Sequence, residues 1–457
     1  MGPIPMQALI TLLLFVTPLI GSAAPPPSGY RFTLTHIDSK GGFTRSELMR
    51  RAANRSRRRH RAMTMTPSYS TASSSSDTRP TRLFSVEAEY LMELAIGTPP
   101  VPFIALADTG SDLTWTQCQP CKLCFAQDTP IYDPTMSSTF LPATCASDTC
   151  LGLPVWSTNC SATGATSPCR YRYGYGDGAY SAGVMGTEAL TFGAGGGANS
   201  SSSDVVSVAG IAFGCGVDNG GLSYNSTGTV GLGRGSLSLV SQLGVGKFSY
   251  CLTDFFDTNI SSPFLFGSLA ELTATGGAAV QSTPLIQNLE RPARYFVSLE
   301  GISLGDTLLP IPNGTFDLRA DGSGGMFIDS GTTFTILAEP GFGVVVEHVA
   351  GVLGQPATAV NASSLGIRPC FPAPAGARQL PEMPDMVFHF AGGADMRLRR
   401  ENYMSFDEEV LAFCLNIVGT KPTWISVLGN FQQQNIQMLY DITVGQLSFV
   451  PTDCSML

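Results

Sequence analysis

Short apolar runs that end in turn residues dominate the hydrophobic pattern of the chain. The run at 89–96 is closed by the turn at 97–100, which contains Gly and two prolines, and a second run at 103–107 leads into Asp108. Runs of this length bounded by Gly and Pro are typical of β-strands. Charged residues make up only 13% of the chain, too few for the polar faces of many amphipathic helices. We therefore predict a mainly all-β fold.

The second run and the motif that follows it recur far downstream. The first copy ends in Asp-Thr-Gly-Ser at 108–111, and the second follows the apolar residues 326–328 and ends in Asp-Ser-Gly-Thr at 329–332. Each copy is followed, much later in the chain, by an apolar run that closes on glycine, at 229–233 and at 425–429. This approximate internal duplication predicts two lobes that each contribute one aspartate.

Processing segments are expected ahead of these lobes. Residues 8–20 are apolar and are followed by small residues, which is the pattern of a signal peptide, and the run is too short for a comfortable membrane span. An N-terminal anchor is the disfavoured alternative, and no membrane anchor is expected. We divide the 457 residues into a signal peptide at 1–24, a propeptide at 25–82, an N-terminal lobe at 83–250 and a C-terminal lobe at 251–457.

The charge of the chain is divided between two regions. Residues 25–82 carry twelve Lys and Arg against three Asp and Glu, a net +9, whereas residues 83–457 carry fourteen against thirty-two, a net −18. A basic segment ahead of an acidic body is typical of a removable propeptide that complements the body electrostatically. The arginines at 55–61 could instead bind nucleic acid. A signal peptide ahead of them disfavours that alternative, and the acidic body predicts no nucleic-acid partner.

Twelve cysteines behind an apolar leader predict an oxidising compartment and six disulfides. Seven of them lie in an insert at 116–170. The spacing of Cys118, Cys121 and Cys124 could also suit zinc or an iron–sulfur cluster. The chain has only four histidines, so disulfides are favoured and no metal or cofactor is expected.

Six glycosylation sequons fall in the body of the chain, which fits a secreted surface. They are at Asn159, Asn199, Asn225, Asn259, Asn313 and Asn361. We expect a monomer that is secreted to the extracellular space (the apoplast) or delivered to a vacuole.

The repeated aspartates suggest a specific chemistry. Hydrolysis of an amide without a metal needs one group to take a proton from water and another to protonate the carbonyl oxygen. Two carboxyl groups held together can do both, because like charges a few ångströms apart cannot both ionise. The hydroxyls of Ser111 and Thr332 are placed to orient the carboxylates of Asp108 and Asp329. Gly110 and Gly331 allow the tight turns that such loops need.

These motifs resemble those of the pepsin-like aspartic endopeptidases, and more narrowly the atypical plant group that includes nepenthesins and nucellin-like proteins. The resemblance covers residues 85–457. It rests on the two Asp motifs, Trp115, Tyr175-Gly176-Asp177-Gly178, the Gly231 and Gly429 loops and the cysteine-rich insert. One departure is Ala107, where the family often has Phe.

The resemblance implies a fold of two β-rich lobes with an active-site cleft between them. It implies that Tyr175 lies at the tip of a β-hairpin flap with Gly176, Asp177 and Gly178, and that Trp115 hydrogen-bonds to the flap tyrosine. It further implies that Thr109 and Ser330 cross-link the two active-site loops.

A disulfide map is also implied by the resemblance, since the counting of pairings alone leaves thousands open. The implied pairs are Cys118–Cys121, Cys124–Cys215, Cys145–Cys169, Cys150–Cys160, Cys251–Cys454 and Cys370–Cys414.

The predicted function is a secreted aspartic endopeptidase, made as a zymogen, that cleaves protein or peptide substrates at acid pH. One alternative is a catalytically weak binding protein on the same scaffold, since some secreted plant relatives have lost an active aspartate and inhibit microbial glycosidases. Both Asp motifs and the flap tyrosine are present here, which disfavours it. A glycosidase with paired carboxylates is a second alternative. The acid and the nucleophile of a glycosidase would not need two copies of the same aspartate motif, which disfavours this alternative.

Overall fold

The computed structural model describes residue 2 and residues 29–64, 90–160, 164–175, 179–192, 205–221, 226–274, 277–356 and 368–457. The predicted signal peptide at 1–24 lies outside these ranges apart from residue 2. The predicted propeptide is described over 29–64.

Strands account for most of the regular structure in these ranges, as the apolar runs predict. In the first half of the chain they are β1 Gly29–His36, β2 Tyr90–Ile96, β3 Val101–Asp108, β4 Trp115–Gln117, β5 Leu141–Pro142, β6 Arg170–Gly174, β7 Tyr180–Phe192, β8 Val206–Gly220, β9 Gly228–Gly231, β10 Lys247–Cys251 and β11 Ser262–Gly267. In the second half they are β12 Gln281–Pro284, β13 Tyr295–Val297, β14 Leu299–Leu304, β15 Thr307–Leu308, β16 Met326–Asp329, β17 Thr335–Ala338, β18 Cys370–Pro372, β19 Met386–Phe390, β20 Ala394–Leu398, β21 Met404–Asp407, β22 Ala412–Leu415, β23 Ile417–Thr420, β24 Ser426–Gly429, β25 Ile436–Asp441 and β26 Gln446–Pro451.

Helices are few and mostly short. The α-helices are α1 Arg45–Thr64, α2 Asp148–Leu151, α3 Leu239–Leu243, α4 Gly341–Leu353 and α5 Arg400–Tyr403. Single 3-10 turns occur at Pro134–Met136, Val155–Ser157, Asn430–Gln433 and Cys454–Met456.

Burial along the strands follows two patterns. Strand β20 alternates buried and exposed residues, which is the pattern of a strand with one face on the core and one in water. Strands β16 and β24 are buried at every position. Strands covered on both faces are held rigidly, and these two carry the second aspartate motif and its glycine loop.

One large sheet joins both halves of the chain. Its strand order is β12-β26-β25-β10-β11-β1-β2-β3-β9-β4-β8-β7-β5, with β6 beside β7. Three smaller sheets have the orders β13-β16-β24-β17-β23, β15-β14-β19-β20 and β18-β22-β21. The boundary predicted between residues 250 and 251 falls inside β10, which pairs with β11 and β25.

Strand pairing displays the internal duplication directly. Strand β3 runs parallel to β9 and places Asp108 opposite Gly231. Strand β16 runs parallel to β24 and places Asp329 opposite Gly429. The two halves of the chain therefore build the same local arrangement around each aspartate.

The region predicted as a propeptide is an integral part of this structure. Strand β1 lies between β11 and β2 in the large sheet and pairs antiparallel with both. Helix α1 begins after a reciprocal capping pair, in which the Thr44 N–H donates to Glu47 Oε2 (2.8 Å) and the Glu47 N–H donates to Thr44 Oγ1 (3.2 Å). Leu48, Met49, Ala52 and Ala53 form one buried face of the helix. They pack with aromatic residues of the body that include Phe255, Phe296, Phe327, Phe334 and Phe431.

A buried ion pair connects the end of β1 to α1. Asp38 and Arg55 have fully buried side chains, and their charged atoms are 2.9 Å apart. Arg51 donates from Nε to the other oxygen of Asp38 at 2.7 Å. One member of the arginine cluster is thus committed to an internal contact, because a buried charge without a partner would be strongly destabilising.

The disulfide map differs from the implied one at four of its six pairs. The structure pairs Cys118–Cys215, Cys121–Cys124, Cys145–Cys160, Cys150–Cys169, Cys251–Cys454 and Cys370–Cys414. The first four replace the implied pairs Cys118–Cys121, Cys124–Cys215, Cys145–Cys169 and Cys150–Cys160.

Strand register explains the first difference. Strand β4 runs parallel to β8, and the backbone N–H of Cys118, just after β4, donates to the carbonyl of Gly216 on β8 at 2.8 Å. This places the Cα of Cys118 5.4 Å from that of Cys215. Cys121 then bonds to Cys124, three residues away.

Register also separates Cys145 from Cys169. The segments around them are antiparallel, with Thr144 opposite Pro168, so that Cys145 lies opposite Ser167 rather than Cys169. Residues displaced by two positions lie about 7–8 Å apart between Cα atoms. This is longer than disulfides usually span.

Trypsin digestion without reduction distinguishes the two maps. Trypsin is expected to cleave after Lys122, between Cys121 and Cys124, and to release peptides 83–122, 123–170 and 173–234. With the pairs of the structure, all three peptides should remain joined by disulfides. With the implied pairs, peptide 83–122 would carry its own internal disulfide and separate from the others, which mass spectrometry would detect.

Candidate active site

Asp108 and Asp329 occupy equivalent positions at the ends of β3 and β16. Their side chains are almost fully buried, with 2% and 0% of their surface exposed. A burial of this degree requires that their oxygens be satisfied by hydrogen bonds.

The hydrogen bonds to the two carboxylates mirror each other. The Gly110 N–H donates to Asp108 Oδ1 (3.2 Å) and the Ser111 hydroxyl to Oδ2 (2.5 Å). For Asp329 the donors are the Gly331 N–H (2.9 Å) and the Thr332 hydroxyl (2.7 Å). Each motif therefore fixes its own carboxylate with one backbone donor and one hydroxyl donor.

Direct contacts between the motifs hold the two loops together. The Ser330 N–H donates to the hydroxyl oxygen of Thr109 at 2.9 Å, and the Thr109 N–H donates to the hydroxyl oxygen of Ser330 at 3.4 Å. The Ser330 hydroxyl also lies 3.3 Å from the carbonyl of Ala107. Because Thr109 and Ser330 directly follow the aspartates, the two carboxyl groups lie on either side of one junction.

One glycine in each half lets its loop pack against the segment that follows the aspartate motif. A Cβ atom at Gly231 would lie 2.2 Å from the backbone carbon of Asp112, and one at Gly429 would lie 2.5 Å from the backbone carbon of Phe334. Both distances are far below van der Waals contact. The glycines that close the two apolar runs are therefore required by the approach of backbone to backbone.

Tyr175, the predicted flap tyrosine, lies near the first aspartate. Tyr175 follows β6, and its hydroxyl accepts a hydrogen bond from Trp115 Nε1 at 2.7 Å, the contact that the resemblance implies. Burial raises the pKa of Tyr175 well above its ordinary value, with further contributions from Tyr173 and from the charge of Asp108. The tyrosine is therefore a neutral hydrogen-bonding group. Residues 176–178 of the predicted flap lie outside the described residues.

A third carboxyl group, not predicted from the sequence, lies beside the site. Burial raises the pKa of Asp112 to about 6, and the charge of Asp108 adds to the shift, while the Gly235 N–H donates to Asp112 Oδ1 at 2.8 Å and opposes it. The signal available in the sequence was an acidic residue directly after Ser111.

The described structure also bears on the predicted glycosylation sites, on metal binding and on membrane spans. Asn159, Asn259 and Asn313 are exposed, whereas Asn199, Asn225 and Asn361 lie outside the described residues. Cys145, Cys150 and Cys160 are close enough in the described structure to suggest a metal site, but all three are in disulfides and offer no thiolate. Within the described ranges, every helix is too short or too polar to span a lipid bilayer.

Comparison with known proteins agrees with this geometry. Residues 90–268 match the family model "Xylanase inhibitor N-terminal", and residues 294–451 match "Xylanase inhibitor C-terminal". The chain is 40% identical over 435 residues to aspartic proteinase nepenthesin-2 of Nepenthes gracilis, covering 95% of this chain and 92% of the relative. It is 41% identical over 430 residues to nepenthesin-1 of the same plant, covering 93% and 91%.

Among solved structures, the crystal structure of EDGP aligns with a TM-score of 0.66 at 17% identity, covering 94% of this chain and 96% of that one. Basic 7S globulin from soybean aligns with a TM-score of 0.58 at 17% identity, covering 81% and 94%. These likenesses concern the fold alone. Together, the fold, the paired motifs and the relatives show that the chain belongs to the pepsin-like aspartic protease family, in the nepenthesin-like plant group.

The raised pKa of Asp112 predicts a pH-dependent stability difference. In the unfolded chain Asp112 titrates near 3.8, whereas in the folded protein it titrates near 6. The contribution of Asp112 to the stability of the folded protein should therefore be lost as the pH rises from about 4 to about 6, because folding holds a proton that the unfolded chain releases. The variant Asp112→Asn keeps an acceptor for Gly235 and does not titrate.

Thermal unfolding of Asp112→Asn and wild type should give equal melting temperatures near pH 3.5. At pH 7 the variant should be more stable, by up to about 3 kcal/mol. A difference that is the same at both pH values would contradict the assignment, since a packing effect does not depend on pH.

Proposed function

We propose that this chain is an aspartic endopeptidase in which Asp108 and Asp329 activate a water molecule against a peptide bond. The observation that supports this most is the mirrored set of hydrogen bonds to the two buried carboxylates. Two carboxyl groups held beside each other can share one proton, because like charges a few ångströms apart cannot both ionise. One group then takes a proton from water while the other protonates the carbonyl oxygen of the substrate.

The surrounding residues position these groups. The donors from Gly110, Ser111, Gly331 and Thr332 fix the planes of the carboxyl groups. Tyr175 and Trp115 are proposed to close over the substrate and exclude water, without taking part in proton transfer. The substrates would be proteins or peptides, and the shared proton favours activity at roughly pH 3 to 5.

A binding protein that lacks peptidase activity is the second candidate. The description of the two matching family models, which names a xylanase inhibitor, favours it. The intact pair of aspartate motifs favours the peptidase instead, because a binding protein would have no need of two buried and identically constrained carboxylates.

Substitution of either aspartate tests the peptidase. Asp108→Asn and Asp329→Asn should each lower the hydrolysis of a denatured protein at acid pH by at least about a hundredfold, because each removes one partner of the proton exchange. The exposed Asp306→Asn, on a turn after β14, serves as the matched control and should keep full activity. Pepstatin should inhibit the parent protein. Activity that survives in either dyad variant, or an inactive parent that binds a glycosidase, would contradict the peptidase.

We further propose that the protein is secreted as a zymogen whose basic prosegment, described over residues 29–64, is released by acid. The leader pattern and the six disulfides favour a secretory route. The prosegment contributes β1 to the large sheet and packs the apolar face of α1 on the body, so its removal would need a substantial driving force.

His36 is suited to supply part of that force. It lies at the end of β1 between the rings of Tyr90 and Phe255, at centroid distances of 5.7 and 4.9 Å, and its Nδ1 accepts a hydrogen bond from the Asp38 N–H at 3.1 Å. Burial lowers the pKa of His36 from 6.5 to about 3, and the charge of Arg55 adds to this while Asp38 opposes it. His36 is therefore neutral while the prosegment is docked.

The lowered pKa of His36 makes docking of the prosegment depend on pH. Below pH 6.5 a released His36 gains a proton that the docked form cannot hold until about pH 3. Docking therefore weakens progressively as the pH falls, by about 3 kcal/mol at pH 4 relative to pH 7.

The variant His36→Phe should remain docked at lower pH than the parent, because phenylalanine fits between the same rings and does not titrate. Hydrogen exchange of residues 29–64 measures docking, in an Asp329→Asn background that prevents self-cleavage. The control His348→Phe, on α4, should open at the same pH as the parent. If His36→Phe and the parent open at the same pH, the histidine is not the acid trigger.

A further inference from the structure

Exposed apolar side chains lie on the cysteine-rich insert near the flap. Val155 and Trp156 leave 85% and 61% of their surface in contact with solvent. With the ring of Tyr173 they form a surface that we call the aromatic shelf. Large exposed apolar side chains that adjoin one another are typical of interaction sites rather than of ordinary protein surface.

The aromatic shelf is continuous with the active site. The rings of Trp156 and Tyr173 lie 6.2 Å apart, and those of Tyr173 and Tyr175 lie 5.3 Å apart. Tyr175 is in turn bonded to Trp115 beneath the flap. A row of aromatic rings thus leads from beside Asp108 to the exposed surface of the insert.

Tyr173 also lies near charged residues of both halves of the chain. Burial raises its pKa, and so do the nearby charges of Asp112 and Asp108, while Arg294 opposes the shift. Arg294 directly precedes β13, in the second half of the chain. The shelf therefore begins beside the first aspartate rather than on an unrelated face.

The insert holds the shelf in a fixed position. Val155 and Trp156 form a 3-10 turn inside the loops closed by the Cys145–Cys160 and Cys150–Cys169 disulfides. The Ser157 hydroxyl donates to the carbonyl of Pro154 at 2.7 Å, and Thr158 pairs with Tyr171 on β6. A surface that is already ordered loses little conformational entropy when it binds a ligand.

We propose that the aromatic shelf is a substrate subsite that receives an apolar or aromatic side chain of the polypeptide, at a distance from the bond that is cleaved. The proposal rests on the proposed peptidase function. The distances from the ring of Tyr175 to that of Tyr173 and from there to that of Trp156 add up to no more than the length of about four residues of an extended chain. Trp156 would therefore contact a side chain about three to four residues from the one beneath Tyr175.

A polypeptide is favoured as the occupant because the shelf continues the cleft that holds the scissile bond. The other occupants of such a surface are a carbohydrate, which also stacks on tryptophan, and a second copy of this chain. The binding experiment would detect either of these occupants.

The kinetic experiment compares two peptides that are identical around the scissile bond. The short peptide ends two residues from the bond on each side, and the long one continues with phenylalanine at the fourth and fifth positions on each side. Trp156→Ala should lower kcat/KM for the long peptide by about tenfold, mainly through KM, and leave the short peptide unchanged. Trp156→Phe should restore most of the loss. Leu308→Ala, at a side chain that is 65% exposed on β15, is the control and should change neither value.

An equal loss on both peptides would overturn the proposal, because it would show that Trp156 acts through the stability of the flap. An unchanged kcat/KM for the long peptide in Trp156→Ala would overturn it as well.

A binding experiment separates this proposal from the proposed function. The chain has three tryptophans, so titration of the long peptide into Asp329→Asn, with and without Trp156→Phe, isolates the fluorescence of Trp156. A saturable change that depends on Trp156 supports the shelf even if the parent hydrolyses no peptide. A change produced by xylo-oligosaccharides and not by the peptide would overturn the proposal, and so would a dimer in sedimentation that Trp156→Ala dissociates.

Discussion

The hydrogen bonds that Thr109 and Ser330 exchange are the constraint on which the rest of the site depends. These residues come from opposite halves of the chain, and each directly follows an aspartate, so their contact determines where both carboxyl groups lie. Within each half, Gly231 or Gly429 lets the glycine loop approach the backbone that follows the aspartate motif, at Asp112 and at Phe334. The fully buried strands β16 and β24 then keep one side of the junction from moving.

The same framework accommodates the prosegment. Strand β1 completes the large sheet between β11 and β2, and α1 places its apolar face on aromatic residues that also lie under the second motif, among them Phe327 and Phe334. Phe334 lies five residues after Asp329 in the chain, and its N–H donates to the hydroxyl oxygen of Ser56 at 3.1 Å. Helix α1 therefore packs on the strands that carry the second aspartate motif.

Two features of the site depend on the neighbours that folding supplies. Asp112 is one residue beyond the first motif, yet its pKa is raised by burial and by the charge of Asp108, against a hydrogen bond from the Gly235 N–H that lowers it. The aromatic row from Tyr175 to Trp156 joins the flap to the insert through Tyr173. Neither arrangement has a periodic signal in the sequence, because its members lie on separate segments. Helix α1 does have a local signal, the Thr-x-x-Glu capping pair at Thr44 and Glu47.

The sequence alone determined the β-rich fold class, the duplicated architecture and the paired aspartates, because these depend on local patterns: apolar runs, turn residues and four-residue motifs. The tertiary structure alone decided the disulfide pairs in the insert, the place of β1 in the large sheet and the burial of Asp38 against Arg55. The first two are set by strand register between distant segments, and the third by the packing of α1 against the residues that follow β1. A displacement of two residues separates Cys145 from Cys169 and brings other cysteines within bonding distance, and no feature of the linear spacing records it.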